Sequence, residues 1–282
     1  KLNLERKFSY KDFIRKNIDL KENDNEEILN IFKDYIKYKN NLFNKDERLL
    51  IKKYKENINS ATEAQKHFSG ANKPIEELYD CDADPDNVRN LISTNLNIET
   101  NKVLEVLRKE LIDYRDSVDD LGALPESEMR RWVDSEESSM RDIVIGKTDH
   151  SPNLKRAWAA ADLVGSNNSE KLLDLLKNGN VNERYWAVIS LRNGFFNDEK
   201  MHQNVSEWIQ DVAPSVRIEI AAWLAHFPKY SEVSLDRLVK DLEHPDWAVA
   251  LQACRAIELL GSKAKSVLES LEQNNNLNYD IK

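Results

Sequence analysis

Apolar residues recur at intervals of three and four in several parts of the chain, a spacing that predicts amphipathic helices. The first such stretch follows an Asn- and Asp-containing segment at residues 22–25, which can cap a helix. Its apolar face consists of Ile28, Ile31, Phe32, Tyr35 and Ile36. A second stretch lies near residues 49–58. We therefore expect residues 1–60 to form a charged helical segment.

The middle of the chain departs from this spacing. Residues 73–80 contain a proline and then a short run with an aromatic residue, which predicts a short strand. Residues 82–86 combine three aspartates with a proline and are typical of a turn. A calcium loop is the alternative, but the segment lacks the glycine and terminal glutamate of an EF-hand loop. Helical spacing returns at residues 101–114, with an apolar face of Val103, Leu104, Leu107 and Leu111.

The periodicity fades between residues 116 and 150. Pro125 can open a short helix, but Ser, Glu and Asp dominate residues 134–142. We interpret this stretch as a connection and place a domain boundary near residues 145–150. The expected domains are residues 1–60, 61–147 and 148–282.

The last domain contains an internal repeat. Four segments share a turn residue followed by a helical stretch with small residues midway. Their equivalent positions are 29, 33 and 31 residues apart and are Leu154, Glu183, Val216 and Trp247. Second helices are predicted at residues 170–176, 235–242 and 262–271. Because one pair of helices cannot bury its apolar face alone, we expect the pairs to stack.

This pattern resembles the HEAT family of helical repeats over residues 152–273. Residues 214–217 read Pro-Ser-Val-Arg and are followed by Ala221 and Ala222, which is close to the signature of the family's first helix. The second unit departs from it, since it lacks the proline and has Glu183 at an apolar position. The resemblance implies an α-solenoid, and HEAT arrays mostly bind other proteins on a concave face.

Five of the six tryptophans lie in this last domain, namely Trp158, Trp186, Trp208, Trp223 and Trp247. They could form an aromatic platform for a ligand. At helical spacing, aromatic residues more often fill the core between repeats, and we favour that interpretation.

Charge narrows the classes of partner. The net charge is −9, divided into +4 for residues 1–58, −10 for residues 59–150 and −3 for residues 151–282. An acidic chain without a stripe of Lys and Arg argues against nucleic-acid binding. No apolar run approaches the roughly 20 residues of a membrane span. We therefore expect neither nucleic acid nor a membrane as a partner.

Residues that usually carry catalysis or bind metals are sparse. Cys81 and Cys254 are 173 positions apart; one long-range disulfide is conceivable, but we favour a core position for Cys254 and an incidental one for Cys81. The five histidines show no metal-binding spacing. We assign no catalytic residue, no cofactor-binding residue and no metal ligand.

The middle domain resembles the C-terminal subdomain of the sulfatase family. Residues 73–80 correspond to the family's short strand with Pro-x-Glu-Glu-Leu-Tyr-Asp, and residues 84–91 to its Asp-Pro-x-Glu-x-x-Asn-Leu turn, with Asp86-Asn87 where the family has an acidic residue. Residues 103–111 fit the helix that follows. Residues 120–129 look like the tail of a bacterial arylsulfatase-like subgroup in which a helical-repeat extension comes next.

The sulfatase resemblance implies a small α+β subdomain and a periplasmic or secreted parent enzyme that hydrolyses sulfate esters. Such enzymes use a formylglycine nucleophile and a calcium ion. Neither Cys81 nor Cys254 is followed by the residues of the formylglycine motif, so this chain carries none of the family's catalytic groups. Because the sequence starts at Lys1 rather than Met, we expect a processed chain or an excised piece.

Two functions remain as hypotheses. In the first, the chain is the non-catalytic C-terminal portion of a sulfatase. The missing catalytic domain is its partner, and the repeats brace that domain or bind a protein or a sulfated polysaccharide. In the second, the chain is a stand-alone helical-repeat scaffold that binds another protein. An enzyme built on this chain alone would need a nucleophile and a base, which the sequence does not bring together. The expected fold is mostly α, with a HEAT-like α-solenoid after a small α+β sulfatase-like remnant, and no cofactor of its own.

Overall fold

The computed structural model describes residues 73–93, 96–135 and 151–265, together with the isolated positions 59, 62, 66, 139, 141, 142 and 267. The chain divides into two units, Lys1–Ser60 and Ala61–Lys282, and nearly all described residues belong to the second. The helices predicted in residues 1–60 lie outside the described residues. The described part of the second unit is mostly α-helical, which confirms the coarse fold class.

The strand predicted at residues 73–80 is wrong, because this segment has no regular secondary structure. The Asn90 side chain takes the place of a partner strand. Its Oδ1 accepts from the Leu78 backbone N–H at 3.0 Å, and its Nδ2 donates to the Glu76 carbonyl at 3.1 Å. The Leu91 N–H donates to the Leu78 carbonyl. Since these bonds satisfy the backbone locally, no second strand is needed, and the described residues contain no α+β subdomain.

Two helices follow this segment. Helix α1 (Ile98–Ser117) confirms the helix predicted at residues 101–114, and Asn97 caps it by accepting from the Thr100 N–H at 2.8 Å. After a 3₁₀ turn at Leu121–Ala123, helix α2 (Glu126–Ser135) begins directly after the proline that was expected to open it.

The apolar face of α1 is only partly covered. Leu104 is 6% exposed, whereas Val103, Leu107, Leu111 and Tyr114 are 44–64% exposed. The face that the sequence groups as one apolar stripe therefore splits into a buried edge and an exposed one.

Seven more helices occupy residues 151–260. In chain order they are α3 (Ser151–Ala161), α4 (Ser169–Asn178), α5 (Val181–Phe195), α6 (Glu199–Ser206), α7 (Pro214–Leu224), α8 (Pro228–Leu242) and α9 (Trp247–Leu260). The four repeat segments are the helices α3, α5, α7 and α9, and α4 and α8 are two of the predicted second helices. The third, at residues 262–271, starts as a 3₁₀ turn at Gly261–Ala264 and then passes outside the described ranges.

Helix contacts arrange this part in two rows. In the first row, α3, α5, α7 and α9 contact one another in chain order. In the second row, α4 packs on α5, α6 on α5 and α7, and α8 on α7 and α9. One apolar cluster runs between the rows, and its largest fully buried members include Trp223, Leu172, Leu191, Ile218 and Leu238. Among the helices of the described residues, none has the length and apolar composition that a membrane crossing needs.

Two tryptophans attach the loop between α1 and α2 to the first row. Trp158 Nε1 donates to the Asp120 carbonyl at 2.9 Å, and Trp186 Nε1 donates to the Ala123 carbonyl at 2.7 Å. These contacts join residues 96–135 to the stacked helices. The boundary predicted near residues 145–150 falls outside the described residues.

Three arginines of the first row pair with acidic residues further along the chain, and we call these pairs the arginine–carboxylate series. The pairs are Arg156 with Glu183, Arg184 with Asp211, and Arg217 with Asp241. The side chains of Asp211 and Asp241 are 3% and 1% exposed. Buried charges are stable only when they are paired and hydrogen-bonded, so the series ties each first-row arginine to one acidic partner.

The departure of the second unit from the HEAT signature has a local cause. Glu183 accepts from the Asn180 backbone N–H at 2.8 Å, while the Asn180 side chain accepts from the Glu183 N–H at 3.0 Å. This capping box begins α5 without a proline. Glu183 is therefore a buried cap and ion-pair partner instead of an apolar core residue.

Candidate binding cleft

Helices α5, α7 and α9 of the first row line a cleft of about 280 Å³. Helix α5 contributes Tyr185, Ile189 and Arg192, because positions four and three residues apart face the same side of a helix. Helix α7 contributes Glu219 and Ala222, with His226 just past its end. Helix α9 contributes Gln252, Arg255, Ala256, Leu259 and Leu260.

Both oxygens of the one carboxylate in the cleft, that of Glu219, already accept hydrogen bonds within the chain. Glu219 Oε2 accepts from Arg192 Nη1 at 2.9 Å, and its Oε1 accepts from Gln252 Nε2 at 3.2 Å. Gln252 also lies 3.3 Å from the Ser215 carbonyl oxygen, to which it donates. These bonds hold the side chains of three adjacent helices in one arrangement.

Three other polar groups in the cleft have no hydrogen bond within the described part of the chain: the Tyr185 hydroxyl, the ring nitrogens of His226 and the Arg255 guanidinium. Burial, and then the charge of Glu219, raises the pKa of Tyr185 well above its usual 10, so its hydroxyl stays protonated and can donate. Arg255 is exposed and is always charged. The cleft therefore offers free donors to a ligand.

Basic side chains outnumber acidic ones in and beside the cleft. Burial, and then the nearby charges of Lys263 and Arg192, lowers the pKa of His226 below its usual 6.5. Lys263 Nζ also donates to the His226 carbonyl at 3.1 Å. Arg192 and Arg255 in the cleft and Lys263 beside His226 thus stand against one carboxylate, Glu219, in a chain whose net charge is −9.

A second hollow, of about 380 Å³, lies beside Arg184, Trp208 and Asp211. Two of its charged groups bind each other, since Arg184 donates twice to Asp211, at 2.9 and 3.0 Å, and once to the Gly179 carbonyl. We regard this hollow as part of the arginine–carboxylate series.

The residues that resemble the sulfatase motif bind one another. Arg108 of α1 pairs with Glu76, which lowers the pKa of that carboxyl group. Asp80 Oδ1 accepts from two following backbone N–H groups, and Asp84 Oδ2 accepts from the Arg89 N–H at 2.7 Å. Residues 80–89 are therefore a turn stabilised by aspartate side chains, in agreement with the turn interpretation.

Both cysteines are free, so no disulfide joins them. Cys81 is exposed, whereas burial, and then Glu258, raises the pKa of Cys254 to about 12. A thiol with that pKa is a poor nucleophile at neutral pH. In the described ranges no group of three or more His, Cys, Asp or Glu side chains is placed to hold a metal ion.

The five tryptophans of the last domain serve packing. Trp223 is fully buried and Trp208 packs on the same cluster. Trp158 and Trp186 are half-buried against the loop after α1, and Trp247 stacks on the Arg130 guanidinium at 4.8 Å. None of the five is exposed, which favours packing over a platform, but Trp158, Trp186 and Trp247 pack on residues 120–130 and not between repeats.

Comparisons with protein-family models, with curated proteins and with solved structures find no match to this chain. The sequence did not point to the cleft, because its residues come from three helices that lie about thirty residues apart along the chain. One signal was available. Arg192, Glu219 and Gln252 are polar residues within strongly apolar helices, and such residues often mark a surface or a site.

Proposed function

We propose that this chain is a non-catalytic scaffold of stacked, HEAT-like helix pairs that binds another protein through the cleft of α5, α7 and α9. The observation that carries the proposal is the set of free donors, Tyr185, His226 and Arg255, in one cleft with apolar walls. Binding sites combine a mainly apolar lining with a few convergent polar groups, and this cleft has that composition.

The arrangement of the helices supports a solenoid. First-row helices contact their successors in order, and the arginine–carboxylate series connects residues 27, 27 and 24 positions apart. Contacts between successive units are the hallmark of stacked repeats, and helix α2 packs beside them on α7 and α9. A solenoid presents one row of helices as a continuous surface, which suits protein binding.

Site-specific photo-crosslinking tests the proposal in the cells from which the chain comes. A benzoylphenylalanine at Leu259, which is 72% exposed at the cleft, should form an adduct with a partner. The matched control is Val233 of α8 in the second row, 44% exposed. Identical adducts from both positions, or none from Leu259, would contradict binding through the cleft.

A second candidate function is the non-catalytic C-terminal portion of a periplasmic or secreted sulfatase, in which the stacked helices brace the catalytic domain or bind a sulfated polysaccharide. The order of motif, tail and helix pairs along residues 73–265 favours it. The absence of a strand at residues 73–80 in the described structure weakens it. Calcium and formylglycine would belong to the parent enzyme.

The sulfatase candidate predicts that the chain alone has no arylsulfatase activity. Hydrolysis of 4-nitrocatechol sulfate with added calcium should stay at the rate of the buffer blank. Turnover above that blank would show that the chain is itself an enzyme.

A further inference from the structure

We propose that the cleft recognises a carboxylate on an acidic peptide segment, with an apolar side chain next to that carboxylate. This inference rests on the proposed function and specifies the chemistry of the partner. Arg255 is the anchoring group, and Tyr185 and His226 are its neighbours in the cleft.

The free donors in the cleft are more than enough to satisfy a single carboxylate. The guanidinium of Arg255 has five N–H groups, the Tyr185 hydroxyl has one donor, and a neutral imidazole adds one more from His226. A carboxylate has two oxygens with about four acceptor positions. Because Arg255 makes no ion pair in the described part of the chain, its charge is available to an incoming anion.

The positive charge of the cleft is small, which favours a carboxylate over a polyanion. Arg192 is neutralised by Glu219 at 2.9 Å, so Arg255 and Lys263 supply the excess charge. A sulfated polysaccharide would bring several charges per disaccharide, more than two cations can compensate. A highly charged polymer also needs an extended track of cations, whereas these cations belong to one cluster.

The apolar walls of the cleft indicate which kind of side chain the peptide carries next to its carboxylate. Ile189 and Ala222 line it, and Leu259 is 72% exposed at its edge. Binding becomes more favourable when an apolar side chain covers this exposed leucine, because apolar surface is removed from water. The peptide would therefore carry an apolar residue adjacent to its acidic group.

A selection experiment tests the inference directly. A display library of random seven-residue peptides is selected on the full chain, and the enriched peptide is synthesised. A second peptide replaces its Asp or Glu by the amide, and a third carries an amidated C-terminus. Dissociation constants are measured by fluorescence anisotropy. We expect the side-chain amide or the C-terminal amide to weaken binding about tenfold, which also identifies the source of the carboxylate.

The same dissociation constants are then measured with variants of the protein. Arg255→Gln should weaken binding of the acidic peptide about tenfold and leave its amide counterpart unchanged. Tyr185→Phe should weaken it about three- to tenfold, since only a hydroxyl is lost. Arg89→Gln is the matched control. It is the same substitution as at Arg255, and Arg89 is exposed and lies outside the cleft. Arg255 is exposed, so its variant should fold normally.

Several results would overturn the inference. One is enrichment of peptides without an acidic group, and another is equal loss of affinity in Arg255→Gln and Arg89→Gln. A third is displacement of the acidic peptide by a heparin hexasaccharide at lower concentration than by the peptide itself, which would point to a polysaccharide. If crosslinking at Leu259 succeeds while these tests fail, the cleft binds a protein by other chemistry, so the two proposals fail separately.

Discussion

Replacement of Asp241 by asparagine should destabilise the stacked helices through loss of one buried charge. The Asp241 carboxylate is 1% exposed and accepts from Arg217 Nη2 at 2.6 Å and from Arg237 Nη2 at 3.2 Å. The two arginine side chains are only 13% and 17% exposed. Asparagine keeps the shape of the residue, so the change isolates the effect of charge.

The size of the effect follows from the burial of the arginines. Removing one partner of a buried ion pair costs about 3–5 kcal/mol, because the remaining charge is left without compensation. Arg217 and Arg237 retain some exposure, and water can solvate them in part. We therefore expect the low end, about 3 kcal/mol, which shifts the midpoint of urea unfolding by about 1–2 M.

Urea unfolding followed by tryptophan fluorescence suits this measurement, since five of the six tryptophans lie in residues 151–282. Asp236→Asn in the same helix is the control. Its carboxylate pairs with Lys240, and both side chains are about 60% exposed. That exposed pair should contribute at most about 0.5 kcal/mol. Equal midpoints for the Asp241 and Asp236 variants would refute the assigned role of the buried charge.

Three further predictions test the packing. Ala221 is fully buried in α7, so Ala221→Leu should cost about 1–3 kcal/mol, whereas the same change at the exposed Ala159 should be neutral; equal urea midpoints would count against close packing of the helices. Because burial raises the pKa of Cys254 to about 12, Ellman's reagent at pH 8 should label one thiol per chain rapidly, at the exposed Cys81, and two fast thiols would contradict the position of Cys254. The pKa of His226 is lowered from 6.5, so the unfolded chain binds more protons below pH 6.5 and stability falls as the pH drops through 6.5 towards the lowered pKa. His226→Gln should reduce the loss of urea midpoint between pH 7 and pH 5, and an unchanged loss would show that other groups cause it.

Helices with strong apolar spacing could be predicted from the sequence, and those with weak spacing could not. Helix α7 has Pro214 at its start and an almost continuous apolar run, and both features are visible in the sequence. Helix α6 was not predicted, because only Met201, His202 and Val205 of its eight residues are buried. Its N-cap, Asp198, is a signal that could have been used.

The other differences between the sequence-based predictions and the structure arise from tertiary contacts. The segment around Tyr79 has the composition of a strand, but a strand needs a partner, and the Asn90 side chain satisfies its backbone instead. The apolar spacing of α1 predicted its helical state correctly without telling which of Leu104, Leu107 and Leu111 would be buried. The cleft depends on side chains from three helices, so no local pattern could reveal its geometry.

The arginine–carboxylate series has a consequence for how a chain of this kind can change in length. Arg184 and Arg217 each pair with an aspartate at the end of their own unit, so a gene rearrangement that removes one of these whole units removes both partners together. A rearrangement that cuts through a unit leaves a buried charge alone and costs several kcal/mol. In α9 the position equivalent to Arg217 is Ala248, which is buried and uncharged, so this helix carries no arginine of the series. The cost of an unpaired buried charge would thus permit duplication and loss of whole units and select against partial ones.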